Sequence, residues 1–312
     1  MRAAVISAYG RAPAAAEFSD PPAPGDGQAA VDVVLAGLNP VDRHIASGSF
    51  YAGSPPLPYV PGREGVARLA DGSLAYFDVP IPPFGGLAER ALVAESSLVP
   101  LPEGLDPGLA IAFGVSGLAG WLPLSWRAEL QPGERVLVLG ASGVVGTIAV
   151  QAAKLLGAGE VVAAARDEAG LAKARERGAD VTVRIGAEGW EDGLRAAAGP
   201  GYDVIVDPLW GEPAVAALQA IAVKGRLVQI GAAAAPDAVV PSAAIRGKLA
   251  SVLGHTNFLT PPEVKRAAYL AMAQAGVRGE LTADVERVPL AAIADAWDRQ
   301  GSGPHQKLVV EP

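Results

Sequence analysis

The chain has 312 residues, a formal net charge of −8 and a pI near 5.0, a balance that argues against a general nucleic-acid or anionic-membrane binder. It contains no Cys, which excludes disulfides, iron–sulfur clusters and thiolate zinc sites together. Its length suits about two domains of ~150 residues each. With His44, His255 and His305 as the only imidazoles, any metal site would have to be rich in carboxylates. The N-terminal run Met1-Arg2-Ala3-Ala4-Val5-Ile6 is too short for a signal sequence and is soon interrupted by Ser7, Tyr9 and Gly10. The most apolar stretch, Val144 to Ala165, carries Gln151, Lys154 and Glu160, unlike an uninterrupted span of ~20 apolar residues. A soluble, cytoplasmic protein is expected, with no nucleic-acid or membrane partner.

Residues 1 to about 115 are rich in Pro and Gly between short apolar runs: Ala30 to Leu35, Ala88 to Val93 and Ser97 to Leu101. They read as an all-β region of short strands, with joints at Pro21-Pro22, Pro55-Pro56 and Pro82-Pro83. From about residue 118 strands and helices alternate. Strand Val136–Leu139 precedes helix Val144–Leu156, which stops at Gly157, and strand Val161–Ala164 precedes helix Leu171–Arg177, which ends at Gly178. Strand Val204–Val206, helix Ala214–Ala222 and strand Leu227–Ile230 complete the alternation. Near-continuous apolar strands joined through helices predict a parallel sheet covered on both faces. A strand-like Leu249–Leu253, helices Glu263–Ala275 and Ala291–Arg299, and a last strand Leu308–Val310 follow.

One motif stands out. Val136-Leu-Val-Leu-Gly140-Ala141-Ser142-Gly143-Val144-Val145-Gly146 runs from a strand through three spaced glycines into a helix. Small residues let the backbone approach a pyrophosphate, the first helical turn offers N–H groups, and the last glycine lets helix and strand pack closely. A phosphate-binding Gly-Lys-Ser/Thr loop is excluded, because Thr147-Ile148 follows Gly146. A dinucleotide site specific for NAD places an acid after its second strand. Here that strand runs into Ala165-Arg166, leaving space and a cation for the 2′-phosphate of NADPH. Asp167 is either the N-cap of the next helix or, in a shifted register, the missing acid; the cap is the favoured reading.

These residues, with others along the chain, resemble the zinc-independent, quinone oxidoreductase-like branch of the medium-chain dehydrogenase/reductase superfamily. The matching pieces are Ala36-Gly-Leu-Asn39-Pro-Val-Asp42, Ser47-Gly48, Tyr59-Val-Pro61-Gly62-Arg63-Glu64-Gly65 and Gly85-Gly86-Leu87-Ala88-Glu89. After the glycine loop come Asp203-Val-Ile-Val-Asp207, Gly225-Arg-Leu-Val-Gln-Ile-Gly231 and Lys307-Leu-Val-Val. The resemblance implies an α/β enzyme with a Rossmann doubly wound parallel sheet (118–254) inserted into a GroES-like β domain (1–117 and 255–312). It implies an active site in the cleft, and hydride transfer from nicotinamide C4 to a quinone or to the β-carbon of an α,β-unsaturated carbonyl compound. An enoyl reductase tailoring a secondary metabolite or acyl thioester is a second reading, and a non-catalytic NADPH-binding regulator a third.

Zinc-dependent members of the superfamily hold catalytic metal through a Cys in the first motif and a His in the second. Asn39 and Arg63 stand at those positions, so no metal is expected. The resemblance places Asn39 and Asp42 beside the nicotinamide and His44 near the substrate, with Tyr51 as an alternative to His44. Arg63 is either a guanidinium for substrate oxygen or the partner of Glu64 in an internal ion pair, the favoured reading. Gly231 corresponds to backbone at the nicotinamide amide, Lys307 to a residue able to reach the cofactor phosphates or lie on the surface, and Asn257 to the loop over the nicotinamide. The region around His255 implies a homodimer through edge-strand pairing. Two departures are visible: Asp71-Gly72 forms a bare hairpin turn in a shortened segment, and Ile185 replaces a Tyr that stacks on the adenine side in some quinone reductases.

Overall fold

The computed structural model describes residues Met1–Pro312, which divide into two units: Met1–Ser116 with Tyr269–Pro312, and Gly117–Ala268. In the first unit the order is β1 (Arg2–Val5), β2 (Ala14–Glu17), β3 (Gln28–Gly37), α1 (Pro40–Ala46), β4 (Glu64–Arg68), β5 (Leu74–Asp78), β6 (Arg90–Ala94), β7 (Val99–Pro100) and α2 (Pro107–Ala112). The second unit holds α3 (Leu118–Leu122), β8 (Arg135–Leu139), α4 (Val144–Leu155), β9 (Glu160–Ala165), α5 (Glu168–Glu176), β10 (Val181–Arg184) and α6 (Trp190–Ala197). It continues with β11 (Tyr202–Asp207), α7 (Gly211–Gln219), β12 (Ile221–Gln229), α8 (Ser242–Arg246) and β13 (Ser251–Gly254). Helix α9 (Pro262–Val277) carries the chain back to the first unit, which ends with β14 (Val285–Pro289), α10 (Ile293–Gly301) and β15 (Lys307–Glu311). The return, expected at 255, therefore falls within a helix at Tyr269, whose ring stacks on Tyr76 at 4.4 Å between centroids.

The second unit is built on a six-stranded parallel sheet in the order β10-β9-β8-β11-β12-β13. Counted within the unit this is the 3-2-1-4-5-6 order of a doubly wound dinucleotide-binding sheet. Val136, Leu137, Val138 and Leu139 are wholly buried, as strands covered on both faces must be. Helix α7 ends at Gln219, so Ile221 and Ala222 belong to the next strand rather than to the helix expected through 222.

The first unit is a mixed sheet ordered β14-β15-β3-β4-β5-β7, with β6 also paired to β3. The all-β reading of its first 115 residues misses two short helices, α1 and α2. Each starts with Pro at its first turn, after Asn39 and Asp106 respectively, and Asp106 accepts hydrogen bonds from Gly108 N and Leu109 N. Strands β4 and β5 join through the short turn read from Asp71-Gly72: Arg68 pairs with Leu74, and Gly72 has φ +85°. No single helix is long and apolar enough to cross a membrane.

Candidate functional site

In the first unit, register brings a set of polar side chains into the core. Strand β3 lies between β15 and β4, with Gly37 opposite Glu64 on one side and Val309 on the other. Lys307 stands two residues before Val309, on the same face of β15 by strand alternation. Its Nζ donates to Asn39 Oδ1 at 2.5 Å and to Glu64 Oε1 at 2.7 Å. Asn39 Nδ2 donates to the same Oε1 at 2.8 Å, while Glu64 Oε2 accepts from Tyr76 OH at 3.0 Å and Val115 N at 2.6 Å. Ser116 Oγ approaches Asn39 Oδ1 at 3.4 Å. Glu64 is 0 % exposed, Asn39 1 % and Lys307 2 %. A carboxylate this deep requires such a ring of donors.

Glycines open the space. A Cβ on Gly37 would stand 2.4 Å from Glu64 Oε1, and one on Gly114 2.1 Å from Oε2. Burial raises the Tyr76 phenol well above its ordinary value, and the Glu64 charge adds to the effect. Asp42 lies beside the cluster. Its carboxylate accepts from Asn39 N at 2.8 Å and Arg63 N at 3.1 Å, fixing the start of α1 against the loop before β4. Burial lifts its pKa to about 6, against the lowering effects of the Asn39 N–H and of the Lys307 and Arg63 charges. Asp42, Ile45, Tyr59, Pro61, Arg63 and Pro82 line a cavity of about 70 Å³, and the buried Tyr59 hydroxyl has no partner.

Asn39, Asp42, Arg63 and Lys307 are thus neighbours, but two sequence readings change. The partner of Glu64 is Lys307 rather than the adjacent Arg63, because Glu64 points into the sheet core where β15 delivers the ammonium. Lys307 is neither a surface residue nor extended toward phosphates, since both of its acceptors lie in the core. His44 is exposed on α1, and Tyr51 is 76 % exposed with its ring 4.4 Å from that of Phe50. Neither joins the cluster. Tyr76, Ser116 and Gly114 do, unforeseen from sequence; the only signal was an ionisable residue, Glu64, opening the otherwise apolar run Gly65-Val66-Ala67.

In the second unit the glycine loop sits at the carboxyl end of β8. Gly140 has φ +65°, and Gly143 precedes α4, whose first-turn N–H groups lack i−4 partners. A Cβ on Gly146 would lie 2.3 Å from Gly140 O, whereas one on Gly143 would meet only Gly140 O at 3.6 Å. Gly146 is thus required by packing, and Gly143 leaves a cradle open for a ligand. Asp167 Oδ2 accepts Gly170 N at 2.6 Å, which makes it the cap of α5. A Cβ on Gly170 would lie 2.3 Å from Ser142 Cβ, so the first turn of α5 abuts the glycine loop, with exposed Arg166 just before its cap. Gly231 follows β12, and a Cβ there would be 2.9 Å from Pro208 O. Asn257 Oδ1 lies 3.2 Å from His255 Nε2, and the His255 ring is edge-on to Trp126 at 6.0 Å. Ile185 is buried in the apolar core of this unit.

Residues 144–273 match the family described as zinc-binding dehydrogenase. A quinone oxidoreductase from Pongo abelii is 31% identical over 302 residues, covering 93% of this chain and 90% of that protein. The quinone oxidoreductase from Thermus thermophilus, solved alone and in complex with NADPH, superposes with a TM-score of 0.81 at 34% identity over the full length of both chains. A probable oxidoreductase from Mycobacterium abscessus gives a TM-score of 0.80 at 30% identity, covering 100% of this chain and 99% of that one. The donor set around Asn39 does not fit zinc. A carboxamide and a guanidinium stand at the positions of the thiolate and imidazole, and the two nearby carboxylates are engaged, Glu64 by an ammonium and Asp42 by the N–H groups of Asn39 and Arg63.

Proposed function

As a member of the quinone oxidoreductase-like family of medium-chain dehydrogenases/reductases, the chain is an oxidoreductase, and we propose that it is a zinc-independent, NADPH-dependent reductase of quinones or α,β-unsaturated carbonyl compounds. The observation that carries this reading is the glycine loop. Side chains are absent at Gly140, Gly143 and Gly146, and the backbone of a twelve-residue helix begins there. That is the arrangement that receives a pyrophosphate.

Bound NADPH supplies the hydride. The N–H groups of Ser142, Val144 and Val145 would hold the pyrophosphate at the glycine loop, and the Arg166 guanidinium would take the 2′-phosphate, while the Ala141 N–H is spent on Ala164 O. Gly231 would leave backbone accessible to the nicotinamide amide, and Asn257 is a further candidate contact to the cofactor. On the substrate side, Arg63, which lines the cavity beside Asp42, would be a donor for a carbonyl oxygen that gains negative charge as hydride arrives, with Asn39 buried behind it. Acceptors of this kind spread the developing charge onto oxygen, so fixed hydrogen-bond donors replace a Lewis acid. One proton completes the reduction, with His44 and Tyr51 as exposed routes to it. A second copy of the chain is the proposed partner. Strand β13 pairs with β12 on one side only and exposes Val252, an edge suited to a two-fold strand pairing.

The test is the absorbance of reduced nicotinamide, followed with NADPH and 1,4-benzoquinone or a simple enone. Turnover with either acceptor is expected. Tight NADPH binding with no oxidation by any acceptor overturns the enzyme reading and leaves a binding protein.

A further inference from the structure

We propose that the Tyr59 hydroxyl is the donor that receives the carbonyl oxygen of the acceptor substrate, in the proline-walled cavity beside Asp42. The inference rests on the reductase reading above and deepens it by giving the substrate oxygen its place.

The cavity has a buried floor and an open rim. Asp42, Tyr59, Val60 and Pro61 are buried, while Pro82 is exposed. The backbone of Tyr59 is fixed from below: Ile6 N donates to Tyr59 O at 2.9 Å, and Tyr59 N donates to Ile6 O at 3.2 Å. Tyr59 is 2 % exposed, and its buried hydroxyl has no partner in the chain, an arrangement that costs free energy until an acceptor arrives. Burial pushes the phenol up to about 12, and the negative charges of Asp42 and then Tyr9 add to the rise. The hydroxyl therefore keeps its proton at neutral pH and is a donor there. Asp42, whose charge reaches it, lines the same cavity.

The rest of the wall has few donors to give. Pro55, Pro61, Pro80 and Pro82 carry no N–H. The N–H of Val60 is spent on Pro83 O, that of Gly85 on Val60 O and that of Arg63 on Asp42 Oδ1. Asp42 is an acceptor through both oxygens. The phenol thus faces the cavity as a neutral donor, with the Arg63 guanidinium as the other donor on its wall. Size narrows the ligand further. An apolar cavity of about 150 Å³ takes up a whole benzene, so one of about 70 Å³ takes a carbonyl group and the ring edge beside it. Negative charge gathering on that oxygen as hydride arrives strengthens the hydrogen bond from Tyr59.

The experiment compares wild type with Tyr59→Phe, which keeps the ring and removes the hydroxyl. The probe is cyclohexanone labelled with carbon-13 at its carbonyl, an unhindered ketone with no activated double bond, added with and without NADP⁺. Difference infrared spectra read its carbonyl stretch and its affinity. KM for 1,4-benzoquinone, NADPH affinity and the denaturation midpoint are measured alongside. Bound ketone should absorb at lower wavenumber in wild type than in Tyr59→Phe, which should bind it about fivefold more weakly or not at all. KM for 1,4-benzoquinone should rise by about the same factor, with NADPH affinity within about twofold. The variant should melt no lower than wild type, because the hydroxyl has no partner in the fold to lose.

A lowered midpoint in Tyr59→Phe overturns the proposal, because it shows the hydroxyl at work within the fold. Equal stretch and affinity in the two proteins overturn it too, since the hydroxyl then meets water only, and so does a wild type that binds no ketone. An unchanged KM in a protein that turns over places Tyr59 outside the reaction and has the same force. Should wild type reduce no acceptor, the reductase reading fails separately. The ketone spectra then decide the Tyr59 assignment: a stretch lowered by the hydroxyl upholds it, and an identical stretch overturns it.

Discussion

Lys307 Nζ and Glu64 Oε1 lie 2.7 Å apart with their side chains 2 % and 0 % exposed, an ion pair withdrawn from water between strands 243 residues apart in sequence. Such a pair is a poor source of net stability, yet breaking it leaves an uncompensated charge in the core. Glu64→Ala removes the acceptor of Lys307, Asn39, Tyr76 and Val115 N together. A loss of about 3–5 kcal/mol is expected, read from urea denaturation. A loss under ~1 kcal/mol would show that the pair is not buried as described.

The three glycines of the proposed nucleotide loop separate packing from binding. At Gly146 a Cβ would lie 2.3 Å from Gly140 O and 2.6 Å from Ala141 Cα, both backbone atoms unable to yield. Gly146→Ala should therefore unfold or strongly destabilise the second unit, by roughly 2 kcal/mol or more. At Gly143 the new methyl would touch only Gly140 O at 3.6 Å. Gly143→Ala should melt within a few degrees of wild type but bind NADPH at least tenfold more weakly, by titration of the bound-nucleotide fluorescence. Equal damage from both substitutions, or unimpaired binding in Gly143→Ala, contradicts the assignment of the cradle.

Arg166 is the proposed reader of the 2′-phosphate, exposed between β9 and the α5 turn whose Gly170 abuts Ser142. A guanidinium–phosphate contact is charge-assisted and absent for NADH. Arg166→Ala should raise KM for NADPH about tenfold or more and leave that for NADH within about twofold. An equal effect on both nucleotides refutes the role.

Much of this was legible in the sequence wherever a local rule decides. Val136 to Leu139 followed by Gly140, Gly143 and Gly146 announces strand, turn and helix, because backbone approach and periodicity are short-range requirements. Asp167 as a cap follows likewise from its place two residues after β9. The cluster around Glu64 was not legible in the same way. Which cation meets Glu64 is decided by strand order: β15 lies beside β3, and β3 beside β4, so the partner comes from the far end of the chain rather than from adjacent Arg63. Tyr76 joins through the β4–β5 register and Ser116 from the helical segment after α2, and short helices α1 and α2 escaped notice because six or seven residues carry little periodicity. Non-local pairing is the information that a residue-by-residue reading lacks.

Asp207 makes the stability of the second unit depend on pH in an unusual direction. It ends β11 with 0 % exposure; Oδ1 accepts Leu209 N and Trp210 N at 2.9 Å each, while Oδ2 has no partner. Burial lifts its pKa from 3.8 to about 6, with the two N–H donors opposing the rise. Between those values the folded protein holds a proton that the unfolded chain has released. The folded state therefore binds more protons, and its stability falls as pH rises. The contribution is fully present below about pH 4 and lost by about pH 6, and a shift of roughly two units corresponds to about 3 kcal/mol. Asp207→Asn keeps the Oδ1 acceptor and removes the charge. Asp42, raised in the same direction, is unchanged in the variant and cancels in the comparison. Relative to wild type, the unfolding free energy of Asp207→Asn should rise by about 1–3 kcal/mol between pH 4 and pH 7. Parallel pH profiles for the two proteins, measured by denaturant titration at each pH, would show that Asp207 carries no raised pKa.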